Sequence, residues 1–137
     1  MPAQDSVMLK KIPKQRRSIA MVEALIEATA RILRTEGAEA MSTNRVAEVA
    51  GVSVGSLYQY FPGKDALMYA VLERQEQAQL EMLAAALQPP LDGPIKDLVG
   101  KVVAALLAFH RNDPDLTRVI LEQRRRLMAI RPLPEME

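Results

Sequence analysis

Residues 42–64 read STNRVAEVAGVSVGSLYQYFPGK. The pattern predicts two short helices, Thr43 to Ala50 and Val54 to Tyr60, each preceded by a serine. Ser42 and Ser53 suit N-caps, because a short hydroxyl side chain accepts a hydrogen bond from an amide that the first turn leaves unpaired. The acidic residue that would complete a capping box is missing in the first of them, where Arg45 stands. Val46, Val49 and Ala50 give that helix a small apolar face, and Gly51 ends it. Pro62 and Gly63 break the chain again. A helix of two turns is unstable alone. Two in succession, joined by Ala50-Gly51-Val52-Ser53, must be held at a steep angle against a third. That is the helix-turn-helix plan, in which the second helix enters a DNA major groove. Gly51 supplies the left-handed turn at little cost. Val46 and Leu57 are expected to clamp the pair, and the small residues Val54, Gly55 and Ser56 let the second helix approach base edges.

Upstream, Ile19, Val22, Ile26, Thr29 and Leu33 recur at spacings of 3, 4, 3 and 4, so one helical face is apolar from about Lys14 to the stop at Gly37. Leu25 and Ile32 widen that face. Downstream, a long amphipathic helix is predicted from about Lys64 to Gln88, with Met68, Val71, Leu72, Met82, Leu83 and Leu87 on related faces. Pro89, Pro90, Gly93 and Pro94 form a boundary. A fifth helix follows over about 94–111, with Ile95, Leu98, Val99, Val102, Leu106 and Phe109 inward. Asp113 can cap a sixth, with Pro114 at its first position, running to about Ile130 on Leu116, Val119, Ile120 and Leu127. Pro132 and Pro134 end regular structure. The fold class is all-α.

Composition agrees. Of 137 residues, 49% are hydrophobic, 26% charged and only 4% aromatic, with 6 glycines and no tryptophan. That is an ordinary globular balance rich in helix formers, and it disfavours a β-sandwich or barrel. The absence of cysteine excludes disulfides, thiolate-held zinc, iron–sulfur clusters and thiol nucleophiles. The single histidine, His110, excludes any site in one chain that needs two imidazoles. No cofactor and no metal site are expected. The net charge of +1 conceals KKIPKQRR at residues 10–17, five basic residues with no acid. Residues 1–16 are read as a flexible basic arm suited to DNA phosphates. Arg124, Arg125 and Arg126 are read as a solvated face, and the eight methionines as core filler. With no apolar signal-peptide core and no long apolar run, a cytoplasmic protein without membrane association is expected.

Taken together, LIEATARILRTEG at residues 25–37 and the string from Ser42 to Leu67 resemble the DNA-binding domain of the tetracycline-repressor-like (TetR) transcriptional regulators. The resemblance covers about Arg17 to Arg74. It rests on Ala28, Leu33, the Gly37 stop, the Ala47–Ala50–Gly51–Val52–Ser53 turn, Gly55, Leu57-Tyr58, Tyr60-Phe61 and Lys64, all in order and spacing. It implies a DNA-binding domain over 17–76 and a partial helical ligand-binding and dimerisation domain over 77–137. It also implies roles. Ser42 or Thr43 would donate to a phosphate, helped by the free amides of a helix N-terminus. Tyr58 and Tyr60 match phosphate-contacting positions, Tyr60 standing where the family commonly has histidine. Lys64 would pair with a phosphate, and Phe61 would be core. The candidates for base readout are Asn44, Val54, Gly55, Ser56 and Gln59. Gln59 suits adenine, Val54 a thymine methyl, and Ser56 either partner. Arg45 and Ser53 complete the candidate surface.

What the resemblance implies overall is a sequence-specific transcriptional regulator, a ligand-responsive repressor. Its dimer would grip a palindromic operator in double-stranded DNA and release it when a small-molecule inducer binds among helices four to six. Only two helices and a Pro-rich end follow the long helix, fewer than the family's C-terminal domain carries. RPLPEME at residues 131–137 reads as the start of a continuation. Dimerisation is therefore expected to be weak or to use another surface, near Val103, Leu107, Leu121 and Leu127. Two rivals are a helical small-molecule or protein-binding module without effective DNA binding, and an enzyme built on Asp113 and Asp115. The second is disfavoured, because acids at a helix start are accounted for as caps and dipole partners.

Overall fold

The computed structural model describes residue 9 and residues 15–130, and these form six helices with no strand among them. They are α1 (Arg16–Thr35), α2 (Thr43–Ala50), α3 (Val54–Tyr60), α4 (Lys64–Ala86), α5 (Ile95–Asn112) and α6 (Pro114–Ile130). The basic arm over 1–16, apart from Leu9, Gln15 and Arg16, lies outside the described residues, as do Pro132 and Pro134.

Each boundary has a local cause. The Ser42 hydroxyl accepts the Arg45 amide at 3.1 Å, and the Ser53 hydroxyl accepts the Ser56 amide at 3.1 Å. Gly51 ends α2 at φ 71°, in the left-handed region. Its amide donates to the Glu48 carbonyl and that of Val52 to the Ala47 carbonyl, at 3.2 and 3.0 Å. This closes the helix in the manner of a Schellman cap. A Cβ at Gly51 would meet nothing within 4 Å, so the turn needs glycine for its backbone angle and not for space.

One continuous core runs through α1, α2, α3, the first half of α4 and α6. Leu25, Leu33, Val46, Leu57, Phe61, Leu67 and Leu72 are sealed from solvent with Leu116 and Leu127. Val46 and Leu57 thus clamp the two short helices as expected. The sixth helix belongs to the core of the preceding helices, so no change of core marks residue 76.

Three expectations about faces are corrected. Ile19 is exposed, because α1 projects its first turn beyond its neighbours. The far half of α4, with Met82, Leu83 and Leu87, is only half-buried, and α5 buries no residue at all; Ile95 is 78% exposed and Val99 54%. Conversely Leu127, named both on the inward face of the sixth helix and near an outer apolar surface, is 0% exposed and sits in the core, whereas Val103, Leu107 and Leu121 are exposed.

Charged side chains tie α6 to the helices beneath it. The Arg34 guanidinium donates to one Asp113 carboxylate oxygen through Nε and Nη2 at 2.9 and 2.7 Å. The other oxygen accepts the Leu116 amide at 3.2 Å and caps α6. The hydrogen bond from Arg34 holds the Asp113 carboxyl below the ordinary carboxylate range, against the opposing effect of burial. It raises Arg34 correspondingly. Towards the other end of α6, Arg126 Nη1 meets Asp65 Oδ1 at 2.7 Å.

Candidate nucleic-acid interface

The α2–turn–α3 unit carries the site. Its inner side, Val46, Ala47, Leu57 and Tyr60, is buried, and its outer side presents Ser42, Asn44, Ser53, Gly55, Tyr58 and Gln59 to solvent. Thr43, Arg45, Val54 and Ser56 are half-buried at the border. The core thus fixes the backbone from which the exposed groups project.

The structure joins two of the residues assigned to phosphate. Thr43 Oγ1 and the Tyr58 hydroxyl lie 3.0 Å apart, a hydrogen bond between the first residue of α2 and the middle of α3. Both hydroxyls therefore sit at one point of the surface. Tyr58 is 41% exposed. At the start of α3, the Ser53 hydroxyl also donates to the Ser56 hydroxyl at 2.9 Å. Ser56 is thereby oriented by its neighbour. Among the described residues a Cβ at Gly55 would meet only Ser53 Oγ, at 4.0 Å, so their packing does not require glycine there.

Three sequence-predicted residues have surroundings that the sequence did not reveal. Tyr60 is 4% exposed and packs in the core, because it lies three positions on from the buried Leu57 and so shares its face of α3. The resemblance assigns Tyr60 to a phosphate-contacting position; the structure places its side chain in the core. Arg45 is drawn away from its own helix end. Its guanidinium donates to the Glu36 carboxylate at 2.7 and 3.3 Å and also lies 3.4 Å from Glu48. That hydrogen bond lowers the Glu36 carboxyl and raises Arg45. Lys64 donates through Nζ to the Ala38 carbonyl at 2.9 Å, which fixes the head of α4 to the α1–α2 loop. Its remaining two ammonium protons are not used by that bond. Neither Glu36 nor Ala38 was singled out by sequence. Their only signal was proximity to Gly37, which is too weak to name a partner.

Between α4, α5 and α6 lies a cleft of about 40 Å³, bordered by Leu72, Glu76, Phe109, His110, Ile120 and Arg124. Arg124 Nη2 stands 3.6 Å from Glu76 Oε1. His110 Nδ1 lies 2.7 Å from the Leu106 carbonyl, and the ring packs edge-on against Phe109. Among the described residues no helix is long and apolar enough to cross a membrane, and no group of three metal-ligating side chains occurs.

Comparison with known proteins agrees with this architecture. The nucleoid occlusion factor SlmA of Actinobacillus pleuropneumoniae (serotype 5b, strain L20) is 30% identical over 114 residues, which are 82% of this chain and 53% of that protein. Its counterpart in Vibrio campbellii is 31% identical over 99 residues, 72% of this chain and 50% of that protein. The chain thus spans about half the length of the curated relatives it matches. Among solved structures, the fatty acid degradation regulator FadR of Bacillus halodurans superposes with a TM-score of 0.66 at 14% identity, covering 87% of this chain and 62% of that one. A TetR-family transcriptional regulator of Haemophilus influenzae superposes with a TM-score of 0.63 at 22% identity, covering 80% and 58%. These two likenesses concern the fold. Residues 25–71 match the family model for bacterial regulatory proteins of the tetR family, and the helix order and the left-handed turn at Gly51 agree with that match.

Proposed function

We propose that the chain is a sequence-specific DNA-binding transcriptional regulator, a ligand-responsive repressor that acts as a homodimer on palindromic duplex DNA. The observation that carries this reading is the α2–α3 unit. A sealed inner face holds an outer face of hydrogen-bonding side chains around a glycine that the chain's own packing does not require. In this reading α3 lies in the major groove and Gly55 allows close approach. Gln59 bonds an adenine, Val54 meets a thymine methyl, and Asn44 and Ser56 take further base edges. Thr43 and Tyr58 act together on one phosphate, with Ser42, Ser53 and the α2 amides beside them. Lys64 adds a positive charge at the backbone. Arg45 orders the α1–α2 junction through Glu36 and contributes at the border. The inducer enters between α4, α5 and α6. The cleft there is far below the roughly 300–1,000 Å³ of small-molecule pockets, so entry requires those helices to part.

The test is duplex binding across a salt series, using a site selected from a random library and its single-base variants. Gln59→Ala should relax preference at one position of each half-site, costing about 1–3 kcal/mol for the selected sequence. Lys64→Ala should weaken every duplex alike and lower the salt slope by about one. A thermal melt corrects for the lost Ala38 contact. The reverse pattern would overturn the role assignment, and salt-independent or absent binding would favour the module without effective DNA binding.

A second reading, nucleoid occlusion, is supported by the similarity to the SlmA proteins. It predicts bound sites spread along the chromosome rather than gathered at promoters, which chromatin immunoprecipitation distinguishes. The enzyme alternative has no support at Asp113, whose carboxylate is taken up by Arg34 and the α6 cap.

A further inference from the structure

The α2–α3 unit carries almost no charge of its own. From Ser42 to Phe61 the sequence holds one basic residue, Arg45, and one acidic residue, Glu48. Arg45 is the third residue of α2, two positions from Thr43, whose hydroxyl lies 3.0 Å from that of Tyr58. The Arg45 amide is fixed in the first turn by Ser42 Oγ at 3.1 Å. Its guanidinium is taken up by acids. Nη2 donates to Glu36 Oε1 at 2.7 Å and Nε to Glu36 Oε2 at 3.3 Å, a two-point grip from the end of α1. Nη1 lies 3.4 Å from Glu48 Oε1. Arg31 borders the same groove and adds to the positive field on Glu36. The Arg45 and Glu36 side chains remain 37% and 36% exposed. An ion pair that open to water adds little to stability. Its two-oxygen geometry nevertheless decides where the one cation of the unit sits.

We infer that Glu36 sets the duplex affinity of this site by holding the Arg45 guanidinium off the DNA backbone. Glu36 is a positioning residue, since it acts only through Arg45. Much of the affinity for a duplex comes from cations on phosphates, and each such contact releases counterions whatever the base sequence. A guanidinium released in the first turn of α2, beside Thr43 and Tyr58, would be the strongest phosphate ligand of the unit. Gripped by Glu36, it already has a carboxylate in the place a phosphate would take, so moving to the backbone gains little. The restraint lowers affinity for every sequence alike and leaves the base contacts a larger share of the total.

This role of Glu36 rests on the DNA reading above, and one experiment separates the two. Duplex binding of the 137-residue chain is measured over a salt series for the parent, Glu36→Gln, Arg45→Gln and the double variant, with a thermal melt of each. The duplexes are the selected site and its single-base variants. Glu36→Gln keeps the size of the side chain and removes its charge. It should tighten every duplex, keep their ranking, and steepen the fall of log affinity with log salt by about one. Its advantage over the parent should therefore shrink about threefold between about 50 and 200 mM salt. With Arg45 already replaced by glutamine, the same change should leave the slope where it was. Glu39→Gln, which removes an equal charge three residues on, should move the slope far less than Glu36→Gln. A strut that only holds the end of α1 predicts the opposite sign, with Glu36→Gln weakening every duplex. That result would overturn the role, and so would a gain of equal size in the Arg45→Gln background. Parent and variants all failing to bind duplex would instead overturn the DNA reading, and this role with it.

Discussion

Helices α1 and α5 are close in length, 20 and 18 residues, and both are amphipathic with apolar residues three and four apart. Yet α1 buries eight residues and α5 none among its own. The difference lies in their neighbours. α2, α4 and α6 all pack on α1, and Arg34 and Arg74 pin it with ion pairs to Asp113 and Glu27. α5 leans mainly on α4 and otherwise faces solvent. Periodicity identifies the stripe that a helix would bury. It does not identify what covers the stripe, and the energetic worth of each residue depends on that second fact.

The strongest way to break this contrast is to truncate one residue on each side. Leu57→Ala, in the sealed core, should cost about 2–5 kcal/mol, because a cavity is left beside the lost contacts. Val99→Ala, measured in the dilute limit, should stay within about 0.5 kcal/mol. Urea unfolding of both variants decides the matter; similar losses would mean that α5 is supported far better than its exposure indicates.

The two linkers offer a finer comparison. Gly51 and Gly93 both have positive φ, 71° and 101°, so neither accepts a β-branched residue without strain. Gly51→Val should cost about 1–2 kcal/mol, since the α2 and α3 ends are held by the core and cannot shift. Gly93→Val should cost less. The exposed segment around it has no packed neighbours and can rearrange. Thermal melts at equal concentration check this, and a larger loss at Gly93 would show that the linker is as constrained as the turn.

The smallest of the three effects separates charge from packing. Asp113 has a depressed carboxyl pKa in the folded chain, so its contribution is complete above the ordinary carboxylate value of about 3.9 and is lost as pH falls through the lower folded value. Asp113→Ala should therefore cost about 0.5–2 kcal/mol at pH 7 through the lost cap alone. The gap from the parent should close as both are acidified below pH 4. Denaturation at a series of pH values reads it directly. A gap that persisted at pH 2 would assign the loss to packing.

The sequence made α2 and α3 legible to the residue, because Ser42, Gly51 and Ser53 act locally and their chemistry is short-range. The exposed candidates Asn44, Gly55, Tyr58 and Gln59 followed from the same phase. What escaped depended on distant partners. Arg45 was seen as a missing capping-box acid, but its pairing with Glu36 arises from the fold of the α1–α2 loop. Lys64 was assigned a phosphate partner, and its bond to the Ala38 carbonyl, 26 positions away in sequence, was not foreseen. Ile95, read as inward, is bare, while Leu127, read both as inward and as part of an outer surface, is buried, because α6 docks onto α1 and among the described residues no element does the same for the outer row of α5.

The place of α6 in the core also sets an order in time. Leu116 and Leu127 share one core cluster with Leu25, Leu33 and Leu72, and α6 packs on α1 and α4, so that flank of the core is covered only once α6 has been made. At about 5–20 residues per second, the ribosome needs roughly 3–11 s to extend the chain from Leu72 to Leu127. Throughout that interval α1 to α4 are present with one flank of their core open to water. The length of that interval is set by the 55 positions between Leu72 and Leu127 in the message.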